Sequence, residues 1–100
     1  MVSDVLNYFK SFADTSRMQI SAKLFSMFRH YAGVDQVTID LESGATVTDL
    51  LDALAGRFNN PAFKNDETQL MLMINNENAP LQTVLKEGDV VHLLPILGGG

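Results

Sequence analysis

Few residues of this chain could do chemistry. It holds two histidines, His30 and His92, no cysteine, and a final run Leu97-Gly98-Gly99-Gly100 that ends in a free carboxylate. Without cysteine there is no thiolate for nucleophilic attack, for a disulfide or for a soft metal site, so any sulfur chemistry needs a partner's thiol. No serine stands in a recognisable nucleophile motif, and His92 sits in an apolar run that suits a packed or strand-edge residue better than a base. Met18, Met27, Met71 and Met73 read as core filler, although methionine also serves adaptable binding surfaces. Asp35, Asp40 and Glu42 are spaced as a solvated strand face, and Asn65-Asp66-Glu67 as a loop. Neither has the spacing of a calcium loop. Lys23, Lys64 and Lys86 form no basic patch.

The remaining candidate is the end of the chain, and it has two readings. Three glycines in a row are either a frayed terminus or vestige of cloning, or a device that delivers the Gly100 carboxylate to another protein. A carboxylate is a poor electrophile and must be activated, typically by adenylation, before a nucleophile can take its carbonyl carbon. Glycine suits that task because a chain without Cβ atoms threads a narrow channel and admits a nucleophile closely. From Leu97 onward the extended tail would reach about 13 Å at about 3.3 Å per residue.

The elements that must position this tail follow from periodicity. Val90 to Leu94 is an apolar run with strand character, and Pro95, which has no N–H to donate, should end regular pairing. Ile20, Ala22 and Leu24 alternate as one strand, and Val37, Ile39 and Leu41 as a second, expected as its antiparallel neighbour. Between them, Phe28 to Gly33 forms a short turn or a single helical turn stopped by Gly33. Thr46 and Asp49 have the spacing of a capping box, and Val47, Leu50, Leu51, Leu54, Ala55 and Phe58 make the apolar stripe of the main helix. Asn59-Asn60-Pro61 should end that helix, with a polar loop over residues 61–68. Leu70 to Ile74 is apolar at every position, so it is either a central strand covered on both faces or a strand with one face kept for a partner. Asn75-Asn76 can supply the positive φ angles of a tight turn. Leu81, Val84 and Leu85 read as a short connection with core contacts, and Glu87-Gly88-Asp89 as a turn.

Strand, strand, helix, strand, short element, strand implies an α+β fold: a mixed sheet of about four to five strands with one main helix across one face. If the first and last strands lie parallel at the centre, the fold is the ubiquitin-like β-grasp. Residues 18–97 would form this domain and residues 98–100 a flexible tail. Residues 1–17 form an N-terminal extension. It is either an amphipathic helix, with Val5, Phe9 and Phe12 at helical spacing, or a loosely ordered leader ahead of an alternative start at Met18. A chain begun at Met18 is expected to fold and to be activated.

One hundred residues make one domain with a core of its own. No apolar run has membrane-spanning length, and residues 1–17 lack the pattern of a signal peptide, so the expectation is a cytoplasmic protein that engages no membrane. A net charge of −5 argues against nucleic acid and suits docking to a basic protein surface.

Three blocks of residues resemble the ubiquitin-like sulfur-carrier family (the MoaD–ThiS family), which includes the small subunit of molybdopterin synthase and the thiamine-pathway sulfur carrier. They are Leu24-Phe25-Ser26-Met27-Phe28-Arg29-His30-Tyr31-Ala32-Gly33, then Thr46-Val47-Thr48-Asp49-Leu50-Leu51, then Ile74-Asn75-Asn76 with Gly88-Asp89-Val90 through Leu94-Pro95 to Gly99-Gly100. The chain departs from the family pattern at His30, where an acidic residue is usual, at Asn76 for a turn glycine, at Ile96 for a second proline and at Gly98 for a serine or alanine.

The resemblance implies a β-grasp carrier that is not an enzyme on its own and binds no cofactor or metal. An adenylating partner resembling the ubiquitin-activating enzymes would use ATP on the Gly100 carboxylate. Sulfur from a partner cysteine persulfide would then give a thiocarboxylate. Gly99, Gly98, Leu97, Ile96 and Pro95 would be read by the partners, among them the large subunit of molybdopterin synthase, where the sulfur would pass to the precursor of a molybdenum or tungsten cofactor. Two alternatives fit the same tail: a protein modifier joined to lysines through Gly100, and a sulfur carrier for thiamine or another pathway.

Overall fold

The computed structural model describes residues 17–64 and 70–95. The expectations for Val5, Phe9 and Phe12, for the Asn65-Asp66-Glu67 loop and for Ile96, Leu97, Gly98, Gly99 and Gly100 fall outside the described residues.

Alternation sets the first hairpin. β1 (Arg17–Leu24) buries Met18, Ile20, Ala22 and Leu24, and β2 (Gln36–Glu42) buries Val37, Ile39 and Leu41. The two pair antiparallel from Arg17 opposite Glu42 to Lys23 opposite Gln36. Arg17 is therefore the first residue of a strand, one position earlier than the sequence reading began the domain. Between them α1 (Met27–Ala32) is a full short helix, stopped by Gly33 at φ 76°, where the Gly33 N–H donates to the Arg29 carbonyl. Only glycine adopts that left-handed cap without Cβ strain.

The entrance to α1 is less relaxed. Ser26 has φ 51° and ψ −124°, a region L-residues rarely occupy, and its side chain makes no capping hydrogen bond. This turn lets buried Leu24 and buried Phe28 flank an outward-facing Phe25, which is 40% exposed. Phe25 is outward by the parity of β1; had the strand simply continued, alternation would have turned residue 26 inward, whereas the turn leaves Ser26 exposed and brings Phe28 to the core.

α2 (Val47–Phe58) buries the expected stripe, with Val47, Leu50, Leu51 and Leu54 at 1% exposure or less. Each such side chain contributes roughly 1.5–3 kcal/mol of burial. Its capping box is complete: the Asp49 N–H donates to Thr46 Oγ1, and the Thr46 N–H donates to Asp49 Oδ2 at 2.8 Å. The next two free helix donors, Val47 N–H and Thr48 N–H, reach the carbonyls of Thr83 and Leu81. The connection over residues 81–85 is thus fastened to the helix start. Leu85 enters the core there, but Val84 is 56% exposed, contrary to the core contact expected of it. Val84 instead forms an isolated bridge opposite Thr46, and a residue in that backbone pairing projects its side chain away from the helix.

Asn59, at φ 50°, ends α2. The expected polar loop after it begins with a 3-10 turn (Pro61–Phe63), and Phe63 is wholly buried. Its ring lies 5.5 Å from that of Phe58, 5.8 Å from Phe28 and 6.4 Å from Tyr31. Phe63 therefore joins α1 to the end of α2. Local polarity hid this, because one aromatic among polar neighbours has no period.

β3 (Leu70–Ile74), β4 (Glu77–Asn78) and β5 (Val90–Pro95) complete one sheet in the order β2-β1-β5-β3-β4. Asn75 and Asn76, at φ 54° and 67°, make the tight turn between β3 and β4. β5 runs parallel to β1, from Ser21 opposite Val90 to Leu24 opposite Leu93, and antiparallel to β3. A central parallel pair with a helix across one face is the ubiquitin-like β-grasp. The Glu87-Gly88-Asp89 turn extends the central pairing. The Gln19 N–H donates to Glu87 Oε2 at 2.9 Å, the Gly88 N–H to the Gln19 carbonyl, and the Ser21 N–H to the Asp89 carbonyl.

Thr46→Ala should destabilise the domain by about 1 kcal/mol through the lost cap. Phe63→Ala should cost about 3–5 kcal/mol. Urea midpoints would check both, and a Phe63→Ala midpoint equal to the native one would refute the packing role given to that ring. Ser26→Gly should raise stability by about 1 kcal/mol by releasing the backbone strain, while Ser26→Val should lower it.

Candidate functional site

Pro95 is the last described residue of β5, half-buried and opposite Leu70 on β3. It is the member of the sequence-predicted tail set that the described residues include. Because β5 is central, its end has β3 on one side and β1 on the other. The end of β1 lies beside it: the Phe25 N–H donates to the Leu93 carbonyl at 3.2 Å.

The sheet has two faces, and only one is covered by α2. Val91, Leu93, Leu70 and Leu72 point to the core, so Val90, His92, Leu94, Met71 and Met73 point to the opposite face. Met71 stands directly across from Leu94, and Met73 across from His92. The Phe25 ring meets His92 edge-on at 5.7 Å between centroids. Met71 is 37% exposed and Phe25 40%, while Met73, His92 and Leu94 are half-buried. Together they form an apolar patch that flanks the departing tail. The other half of the same face, over β1 and β2, carries Gln19, Lys23, Gln36, Thr38 and Asp40.

Leu70 to Ile74 is thus a strand with one face in the core and one face open. Of the two sequence readings, a central strand covered on both faces fails at Met71, which is open to the surface. The sequence reading did not bring Phe25 and Leu94 into this patch. The signal was present, since Phe25 continues the outward parity of Gln19 and Lys23 yet is apolar, but that it meets His92 of β5 depends on the pairing of two strands distant in sequence.

The two histidines are not gathered into one centre. His30 lies on α1 beside Tyr31, at 6.4 Å between rings, and His92 lies on β5 against Phe25. Among the described residues no three His, Asp or Glu side chains come together as a metal site, and no polar side chain is buried. The concavity lined by Met27, Phe28, Tyr31, Pro61, Lys64 and Leu70 lies by the aromatic cluster and holds one charged group, Lys64. No helix among the described residues is long and apolar enough to cross a membrane. What this geometry offers is an apolar patch beside the end of β5.

Comparison with known proteins gives the same picture over most of the chain. The model of the ThiS family matches residues 22–100. The molybdopterin synthase sulfur carrier subunit of Chlamydomonas reinhardtii is 34% identical over 85 residues, covering 83% of this chain and all of that protein. Small archaeal modifier protein 1 of Haloferax volcanii is 35% identical over 86 residues, covering 78% of this chain and 97% of that one. Among solved structures, a putative molybdopterin converting factor subunit 1 from Pyrococcus furiosus superposes with a TM-score of 0.70 at 28% identity, covering 78% of this chain and 97% of its own. Sheet order, the capped helix and the matched residues agree, and the chain belongs to the ThiS family of ubiquitin-like sulfur carriers.

Proposed function

We propose that this protein carries sulfur on the carboxylate of Gly100 and serves as the small subunit of a molybdopterin synthase. The observation that carries the reading is the juxtaposition at the end of β5. The strand that leads to the Gly98-Gly99-Gly100 tail also bears half of the open apolar patch, so a protein that takes the tail meets Phe25, Met71, His92 and Leu94. Docking on that patch would place the glycine tail in a partner's channel, with the chemistry done by the partner.

The chemistry follows from the carboxylate. An oxygen of Gly100 attacks the α-phosphorus of ATP held by an adenylating partner, and pyrophosphate leaves. The outer sulfur of a partner cysteine persulfide then attacks the carbonyl carbon and AMP leaves, which gives an acyl disulfide. A second partner thiolate attacks the cysteine sulfur, forming a disulfide and releasing the thiocarboxylate. In this scheme the carrier contributes a terminus, an address and no cofactor of its own. The synthase large subunit would be the next to receive the tail.

A second reading is kept by a specific likeness, the 35% identity to small archaeal modifier protein 1. There the activated Gly100 carbonyl would pass to a lysine amine and form an isopeptide bond.

The deciding measurement is the mass of the tryptic peptide spanning residues 87–100, from protein made beside its own adenylating enzyme. That peptide contains neither methionine nor cysteine, so the gain from exchanging one oxygen for sulfur cannot be mimicked by methionine oxidation. The expected result is that gain. Recovery of the peptide branched onto lysine-containing peptides would favour the modifier, and a terminus left unmodified with enzyme, ATP and sulfur donor present would refute both. Removal of Gly99 and Gly100 should abolish sulfur transfer with the urea midpoint unchanged; full transfer by the shortened chain would refute the carrier reading.

A further inference from the structure

We propose that Met71 is a peroxide-sensitive modification site whose oxidation to the sulfoxide disables the docking patch. The consequence for docking rests on the carrier reading above; the site itself rests on exposure and position alone.

The chain has no cysteine, so its own oxidisable sulfur is methionine. The described methionines are not equivalent. Met18 is interior at 6% exposure, Met27 and Met73 are half-buried, and Met71 at 37% is the exposed one among the described residues. Met71 owes its exposure to strand parity. Leu70 and Leu72 on either side of it point to the core, so its thioether stands on the open face of β3, directly across from Leu94 of β5. This is also where the platform is most apolar and nearest to the departing tail. A methyl thioether there makes soft, adaptable contacts. A sulfoxide has a strong S=O dipole, and a partner docking on the patch would have to desolvate it.

The reaction is a two-electron oxidation. The thioether sulfur attacks one peroxide oxygen, the O–O bond breaks, an S=O bond forms and water leaves. Two thiols of a methionine sulfoxide reductase reverse it, giving thioether, disulfide and water. A partner seated on the patch would cover Met71, so oxidation would act on the free carrier and withhold it from activation.

The test uses the full chain and hydrogen peroxide. Tryptic peptides place Met18 in residues 18–23, Met27 in 24–29, and Met71 with Met73 in 65–86, where fragmentation separates the two. Met71 sulfoxide should form at least about fivefold faster than Met18 sulfoxide, and ahead of that at Met27 and Met73. Oxidation of Met18, Met27 or Met73 as fast as Met71 would overturn the site. ATP-dependent adenylation by the enzyme from the same genome is then read before and after peroxide. The native chain should lose about tenfold in apparent affinity, the scale set by one good interface residue, and regain it on treatment with the reductase. Met71→Leu should show no such loss relative to its own untreated value, whatever that value is. Equal losses in both proteins, or no loss in the native chain carrying the Met71 sulfoxide, would overturn the switch. If the untreated chain is not adenylated at all, it is the carrier reading that fails, while the order of oxidation still decides the site.

Discussion

The parallel pairing of β1 with β5 is the constraint on which the rest of the structure depends. It joins the first and last described strands at the centre of the sheet, with Ala22 opposite Val91 and Leu24 opposite Leu93, all four at 1% exposure or less. A parallel pair cannot be closed by a tight turn, so everything between the two strands serves as the crossover. The main helix packs across the face that this pair presents. The polar clamps at Glu87, Gly88 and Asp89 then hold β5 in register from its first residue, through hydrogen bonds to Gln19 and Ser21. Because β1 and β5 run the same way, Arg17 and Pro95 lie at opposite ends of the sheet. The segment before Arg17 is therefore joined far from the point where the tail departs.

A β-grasp covers one face of its sheet with a helix and leaves the other to solvent or to partners. Here the division is uneven. The open face is polar over β1 and β2 and apolar over β5 and β3, and the boundary runs alongside the strand that continues into the tail. No buried polar side chain and no cluster of metal ligands occurs among the described residues. The domain presents an apolar surface beside Pro95, at the end of β5. The parity of β1 places Phe25 on the same outer face, against the edge of His92 at the border of the patch, and the strained Ser26 turn ends the strand immediately after it.

Much of the fold was legible in the sequence because its signals are local. The alternations in β1 and β2, the helical stripe from Val47 to Phe58, the Thr46–Asp49 capping box and the Asn75-Asn76 turn each need only a few neighbouring residues to be recognised, and each is present. The misreadings are non-local. Phe63 sits among polar residues and is buried because α1 and α2 bring Phe28, Tyr31 and Phe58 to it. Val84 stands beside Leu85 in the sequence and reads as a core residue, but it pairs with Thr46 in an isolated bridge and is exposed.

By itself the sequence determined most of the elements and the type of fold. These are fixed by residue type and short-range spacing, which the linear chain states outright. Only the tertiary structure decided which face of Leu70 to Ile74 is open and which side chains surround the departure of the tail. Every residue of β3 is apolar, so no pattern within it separates its faces. The choice is made by register, when Leu72 falls opposite Leu93 above the helix and Met71 opposite Leu94 away from it. Register between strands distant in sequence is a property of the assembled sheet.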